Sequence, residues 1–282
     1  MSASLSVNLL ESVLARLGFN RHLEPTRENL RRLYAAWCRR VPFDNVRKLI
    51  HVHNGDPRPF PGSTAEDFFE AWLKHGTGGT CWSGAGAFQA LLQSLGFDAV
   101  RGVGTMMVAP DLPPNHGTVR VDFGEAHYLT DCSILHVEPL HLNGDAEVIV
   151  NHPAWGVRCS RRDGKWHVAW RPLHKLDGLE CRLESFGASQ QEYAERYEKT
   201  RQWSPFNYEL VARLNKEDRV VGTGFGRKVT LKSDGAVDSH PVADAERRRL
   251  LIEDIGLSEE IVSQLPADRP TPPPPWSKTA QT

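Results

Sequence analysis

Apolar residues recur at helical spacing through the first third of the chain and at strand spacing after it. Leu9, Leu10, Val13, Leu14 and Leu17 share one helical face and stop at Gly18, and Leu30, Leu33, Tyr34 and Trp37 repeat the pattern behind Thr26, a suitable cap. Ser63 with Glu66 three residues on has the form of a capping box ahead of Phe68, Phe69, Trp72 and Leu73. A fourth helix is expected near Cys81, with Ala85, Phe88, Leu91, Leu92 and Leu95 as its apolar set. From about residue 99 the period switches to strands, expected at 99–108, 118–123, 126–130, 147–150, 156–159, 166–170 and 179–183. So many short antiparallel runs suggest a small barrel or a strongly curled sheet. Ser189 and Glu192 open a further helix to about Trp203. Strands at 208–214, 220–223 and 228–231 and a helix at 243–255 follow. The glycines Gly222, Gly224 and Gly226 lie between two expected strands with no helix after them, which favours a hairpin turn over a dinucleotide loop.

Length and composition bound the rest. At 282 residues with 40% hydrophobic content, the chain is long for one compact domain, and two or three subdomains are expected. A net charge of −1 gives no electrostatic case for nucleic acid or an anionic membrane. The five cysteines, Cys38, Cys81, Cys132, Cys159 and Cys181, are too few and too irregular for a disulfide framework, and a reducing cytoplasm fits them. Glu11 and Arg16 interrupt the N-terminal apolar positions and no run of 18 apolar residues occurs, so neither a signal peptide nor a membrane span is expected. His51 and His53, and the set His136, His141 and His152, have no carboxylate or thiolate at ligand spacing, so no metal site is expected. The run Pro270-Thr271-Pro272-Pro273-Pro274-Pro275 reads as polyproline-like or disordered.

Chemistry concentrates at Gly78-Gly79-Thr80-Cys81-Trp82, where a glycine-rich turn feeds a helix start. Unpaired N–H groups and the positive end of the helix dipole favour a thiolate there. Downstream, 118–123 and 126–130 flank Gly124-Glu125 and read as a two-residue hairpin. If Phe123 pairs with Ala126, Asp131 faces Thr118 and His116 lies two residues further along, within diagonal reach of the carboxylate. Cys81, His116 and Asp131 would then be nucleophile, base and orienting group of an acyl-transfer triad. On spacing alone each residue also has a plain reading: Cys81 as a small buried hydrophobe, His116 as a loop residue behind Pro113-Pro114-Asn115, Asp131 as turn chemistry. Phe43, Trp72 and Trp82 read mostly as core.

These segments resemble the arylamine N-acetyltransferases. Members carry Arg-Gly-Gly-x-Cys-aromatic-Glu-x-Asn, then a histidine before a hydrophobic strand, then a strand ending in Asp-Val-Gly-Phe-Gly. Gly78, Gly79, Cys81, Trp82, Leu95-Gly96-Phe97-Asp98, His116 and Asp131 match in order. Val41-Pro42-Phe43-Asp44-Asn45 is similar to the family's Pro-Phe-Glu-Asn element, and Ser204-Pro205-Phe206-Asn207 to the segment ahead of its last domain, so the likeness runs from about residue 8 to about 265. Thr77, Ser83 and Ala85 replace the family's Arg, Glu and Asn. The Arg and Glu are lost together, as a charged pair would be. Cys132-Ser133-Ile134-Leu135 replaces Val-Gly-Phe-Gly, implying less open space beside the thiol.

The resemblance implies an α+β fold: a helical domain bearing the cysteine (1–97), a β-barrel domain bearing the histidine and aspartate (98–188) and an interdomain helix with an α/β lid (189–265), ahead of the Pro-rich tail (266–282) that composition marks out. It also implies a papain-like catalytic core joining the first two. The expected activity is transfer of an acyl group from a thioester, acetyl-CoA or another, through Cys81 to a small-molecule amine. No cofactor is expected to be bound, and Phe43 and Trp82 are the expected substrate-facing residues. Alternatives are an amide synthase fed by an acyl carrier protein, a hydrolase with the same triad, and a catalytically silent binding module. The bulk after Asp131 favours a donor other than acetyl-CoA.

Overall fold

The computed structural model describes residues 5–109 and 112–275; residues 276–282 of the expected Pro-rich tail lie outside them. Helix α1 (Val7–Leu17) is capped by Ser6 and closed by Gly18 at φ 91°, and α2 (Arg27–Arg40) begins at Thr26, whose hydroxyl accepts the Asn29 N–H. Strand β1 (Phe43–Asp44) and helix α3 (Val46–His53) follow, neither legible in the periodicity. Helix α4 (Ala65–His75) is capped by Thr64, not Ser63: the Thr64 hydroxyl accepts the Asp67 N–H while the Ser63 hydroxyl donates to the Phe60 carbonyl. Helix α5 (Cys81–Ser94) is almost wholly buried. Its apolar side meets an aromatic core in which Trp37 stacks on Phe68 at 5.8 Å and packs against Phe88 at 4.8 Å. Such rings bury large areas, and Trp37, Trp72, Phe68, Phe69 and Phe88 are all at most 1% exposed.

Eight strands among the described residues make the middle sheet: β2 (Asp98–Met106), β3 (His116–Phe123), β4 (Ala126–Thr130), β5 (Leu140–His141), β6 (Val148–Val150), β7 (Val157–Arg162), β8 (Lys165–Trp170) and β9 (Leu179–Phe186). Their order is β5-β4-β3-β2-β9-β8-β7-β6, all antiparallel, and the edge strands β5 and β6 approach each other without a ladder, giving a nearly closed barrel. The hairpin register is as expected, Phe123 opposite Ala126 and Val119 opposite Thr130.

Helix α6 (Gln190–Lys199), capped by Ser189, stops short of Trp203. A second sheet follows, built from β10 (Val211–Asn215), β11 (Arg219–Gly224), β12 (Arg227–Lys232) and β13 (Val237–Pro241), with β1 on its edge. Phe43 pairs with Arg213 and Asp44 with Ala212, so the helical segment donates a strand to the C-terminal sheet. Phe225 and Gly226, at φ 50° and 74°, form the β11–β12 turn, as the glycine pattern suggested. The expected helix at 243–255 divides into α7 (Asp244–Arg249) and a π-helical stretch, Leu250–Ile255. Among the described residues no helix is long and apolar enough to cross a membrane.

Candidate active site

The loop ahead of α5 has no room for side chains. A Cβ on Gly78 would stand 1.7 Å from the Pro42 carbonyl oxygen, and one on Gly79 would stand 2.2 Å from Ser83 Oγ. Asp44 holds this loop from β1: its Oδ2 accepts the Gly78 N–H at 2.6 Å and its Oδ1 accepts the Val46 N–H at 3.0 Å. Burial pushes the Asp44 carboxyl up, those bonds pull it back, and the result is a pKa of about 6. The residues in the family's Arg and Glu positions do not meet as a pair: Thr77 Oγ1 is buried without a hydrogen-bond partner among the described residues, and Ser83 Oγ donates to the Thr80 carbonyl at 3.1 Å.

Cys81 is the first residue of α5, and the Thr80 side chain makes no capping hydrogen bond, so first-turn N–H groups around the thiol are not spent on a cap. The other four cysteines are also buried. Burial drives Cys38 and Cys159 up to about 12 and Cys132 and Cys181 well above the ordinary thiol range.

His116 opens β3 and faces Asp131, just past the end of β4. Its Nε2–H donates to Asp131 Oδ2 at 2.7 Å, with both side chains at most 2% exposed. The other ring nitrogen is not engaged by Asp131, and the Cys81 side chain acts on the imidazole from the same cavity wall. Asp131 is itself held firmly: Oδ1 accepts the N–H groups of Ser133 and Ile134, each at 2.9 Å. The Tyr34 hydroxyl from α2 donates to its carbonyl at 2.8 Å and accepts its N–H at 3.0 Å. Burial alone would lower the His116 pKa, but the Asp131 charge and hydrogen bond, with the Cys81 contact, raise it to about 10. For Asp131, burial works upward and is outweighed by His116 and the two N–H groups, which hold it at about 2. The three sequence-predicted residues therefore meet, with the imidazole protonated and the carboxylate ionised near neutral pH.

The segment after Asp131 keeps an unusual backbone. Leu135 has φ 56°, a conformation glycine enters freely and leucine enters at a cost of about 1–2 kcal/mol. Its N–H donates to the Asp131 carbonyl at 3.0 Å and its own carbonyl accepts from Asn215 Nδ2 at 2.7 Å, which hold the turn in place. Its side chain is fully buried. Of Cys132, Ser133, Ile134 and Leu135, only Ser133 reaches the cavity beside Cys81, so Ile134 and Leu135 do not narrow it as their bulk suggested.

That cavity, about 270 Å³, is bounded by Cys81 and His116, by Phe43, Met106, Leu173 and Phe206, and by Trp170 and Arg213. Phe43 thus faces the space expected of it. Trp82 does not: it turns to the other side of α5 and packs edge-on against Tyr193, ring centroids 4.9 Å apart. Two buried cations near the site left no mark in the sequence patterns. Lys48 on α3 donates to Thr200 Oγ1 at 2.7 Å, and burial lowers its pKa to about 7 against the pull of Cys81 and Glu198. Arg213 on β10 stands opposite Phe43 in the pairing of β10 with β1 and lines the same cavity. Among the described residues no cluster of His, Cys, Asp and Glu could hold a metal.

A cysteine-bearing helix packed on a barrel that carries histidine and aspartate is a papain-like core. A family model described as N-acetyltransferase matches residues 26–261, and the chain belongs to the arylamine N-acetyltransferase family. Solved structures agree on the fold. The arylamine N-acetyltransferase from Mycobacterium abscessus is 21% identical with a TM-score of 0.76, covering 91% of this chain and 93% of its own. The enzyme from Salmonella typhimurium is 22% identical with a TM-score of 0.74, covering 90% and 92%. The Mycobacterium marinum enzyme in complex with CoA is 18% identical with a TM-score of 0.76, covering 92% and 95%. No curated protein matches the sequence.

Proposed function

We propose that this protein is an N-acyltransferase that carries an acyl group, acetyl among them, from a CoA thioester to an arylamine through an acyl-enzyme on Cys81. The observation that carries this reading is the buried His116–Asp131 pair at 2.7 Å, with Cys81 in the same wall of a largely apolar cavity as the imidazole. Cys81 Sγ attacks the thioester carbonyl carbon, the bond to the donor sulfur breaks, and His116 gives the leaving thiolate a proton. The amine nitrogen then attacks the acyl-cysteine, His116 takes the nitrogen's proton, and Cys81 Sγ leaves as thiolate. First-turn N–H groups of α5, which no side-chain cap engages, would receive the oxyanion. Asp131 keeps the ring oriented throughout. The CoA complex of the M. marinum relative supports a CoA thioester as donor. In this reading segments 1–97 and 98–188 supply nucleophile and base, and 189–265 acts as the lid.

Intact mass after incubation with acetyl-CoA and other acyl thioesters tests the reading. The expected result is a gain of one acyl group, absent in Cys81→Ser and discharged by an arylamine with formation of an amide. Cleavage of the thioester without amide formation would make the protein a hydrolase, and no adduct from any donor would overturn the acyl-enzyme.

A further inference from the structure

Arg213 stands in the wall of the Cys81 cavity, only 3% exposed, and most of its hydrogen-bonding capacity is unspent. Nη2 reaches Asn215 Oδ1 at a long 3.4 Å and the guanidinium lies over the Trp170 ring, 5.4 Å from its centroid. Nε and Nη1 have no hydrogen-bond partner among the described residues. No Asp or Glu is among the described residues of the cavity wall, and the carboxylate that acts on Arg213 electrostatically, Asp131, already spends its oxygens on His116, Ser133 and Ile134. Burial lowers the guanidinium pKa to about 10, which leaves it charged at neutral pH. A buried cation without a counter-charge is costly, and the cost falls if a ligand brings one.

The same wall holds Trp170 Nε1 and Ser133 Oγ, which also have no hydrogen-bond partner among the described residues, in an otherwise mainly apolar surround. A planar guanidinium beside further donors suits a carboxylate, which it grips through two parallel N–H bonds. Nε and Nη1 are covered by wall atoms, so engagement takes a turn about the flexible Arg213 stem and satisfies two donors at once. The cavity volume, about 270 Å³, suits one aromatic ring or a short acyl chain. Resting on the acyl-transfer reading, we propose that Arg213 determines specificity by binding a carboxylate carried into the cavity, either on the acyl group or on the amine.

Two matched pairs separate the sources: succinyl-CoA against butyryl-CoA with one amine, and 4-aminobenzoate against 4-aminobenzamide with one donor. The quantity read is the ratio of kcat/KM within each pair, so that a general loss of activity cancels. The expected result is a preference for the anionic member of one pair of at least about tenfold, falling towards unity in Arg213→Gln and partly kept in Arg213→Lys. Equal ratios in wild type and Arg213→Gln for both pairs would overturn the proposal. Protection of the wild-type protein against thermal unfolding by benzoate and not by benzamide is a second readout that needs neither turnover nor a folded variant. If no thioester acylates Cys81 yet benzoate protects, the acyl-transfer reading falls and the carboxylate site stands. If Cys81 is acylated but neither pair nor benzoate discriminates, the carboxylate site falls alone.

Discussion

Cys81 differs from the other four cysteines in its company. Cys38, Cys132, Cys159 and Cys181 lie where burial raises the thiol pKa, whereas Cys81 opens a helix and shares a cavity wall with a protonated imidazole. Limiting iodoacetamide is therefore expected to label Cys81 first, and mass mapping that found Cys38 or Cys132 labelled earlier would contradict this. Cys81→Ser should abolish transfer while leaving the melting temperature within a few degrees of wild type, because serine fills the space and lacks the acidity. The His116–Asp131 pair predicts a pH signature. His116, raised from 6.5 to about 10, contributes stability that is full below 6.5 and is lost as pH rises through 10. Asp131, lowered from 3.8 to about 2, contributes stability that is full above 3.8 and is lost as pH falls through 2. The cost of Asp131→Asn, about 3–5 kcal/mol for breaking a buried pair, should be greatest between these limits, at about pH 4 to 6.5. Urea titrations of both proteins across pH would show it. A difference that does not change with pH would mean the pair is not charged.

Helix α5 and the loop that feeds it show how one element serves the site. Gly78→Ala forces a methyl against the Pro42 carbonyl, and should cost more than about 3 kcal/mol and slow alkylation of Cys81 together. Gly86, in the same helix, has nothing within 4 Å of the point a Cβ would occupy, and Gly86→Ala should instead stabilise by about 0.5–1 kcal/mol by removing a helix-interior glycine. Chemical denaturation of the two variants checks the contrast, and equal effects would mean that the glycines of this segment act only through chain entropy. The hairpin of β3 and β4 was legible because a two-residue turn sets the register and with it the distance from His116 to Asp131. Strand β1 was not legible: two residues carry no period, and its partner β10 lies about 170 residues away in sequence.

At the scale of the molecule, Asn45 fastens the helical segment to the C-terminal sheet. Its Nδ2 donates to the carbonyls of Phe206 and Glu209, and its Oδ1 accepts the Val211 N–H at 2.8 Å. Asn45→Ala leaves those groups unpaired and should cost about 2–4 kcal/mol, with faster hydrogen exchange in 211–215 than in the barrel. Uniform exchange across both sheets would show that the sheet does not depend on this junction.

The sequence by itself determined the four long helices of the first third, most strands of the barrel and the register of the β3–β4 hairpin, because each rests on periodicity, a cap or a turn acting over a few residues, and the family resemblance singled out Cys81, His116 and Asp131. Tertiary structure alone decided which way Trp82 turns, how Asp44 grips the nucleophile loop and that Arg213 enters the cavity wall. Those outcomes depend on pairing between distant strands and on what burial leaves unpaired, and neither is written in the spacing of residues along the chain.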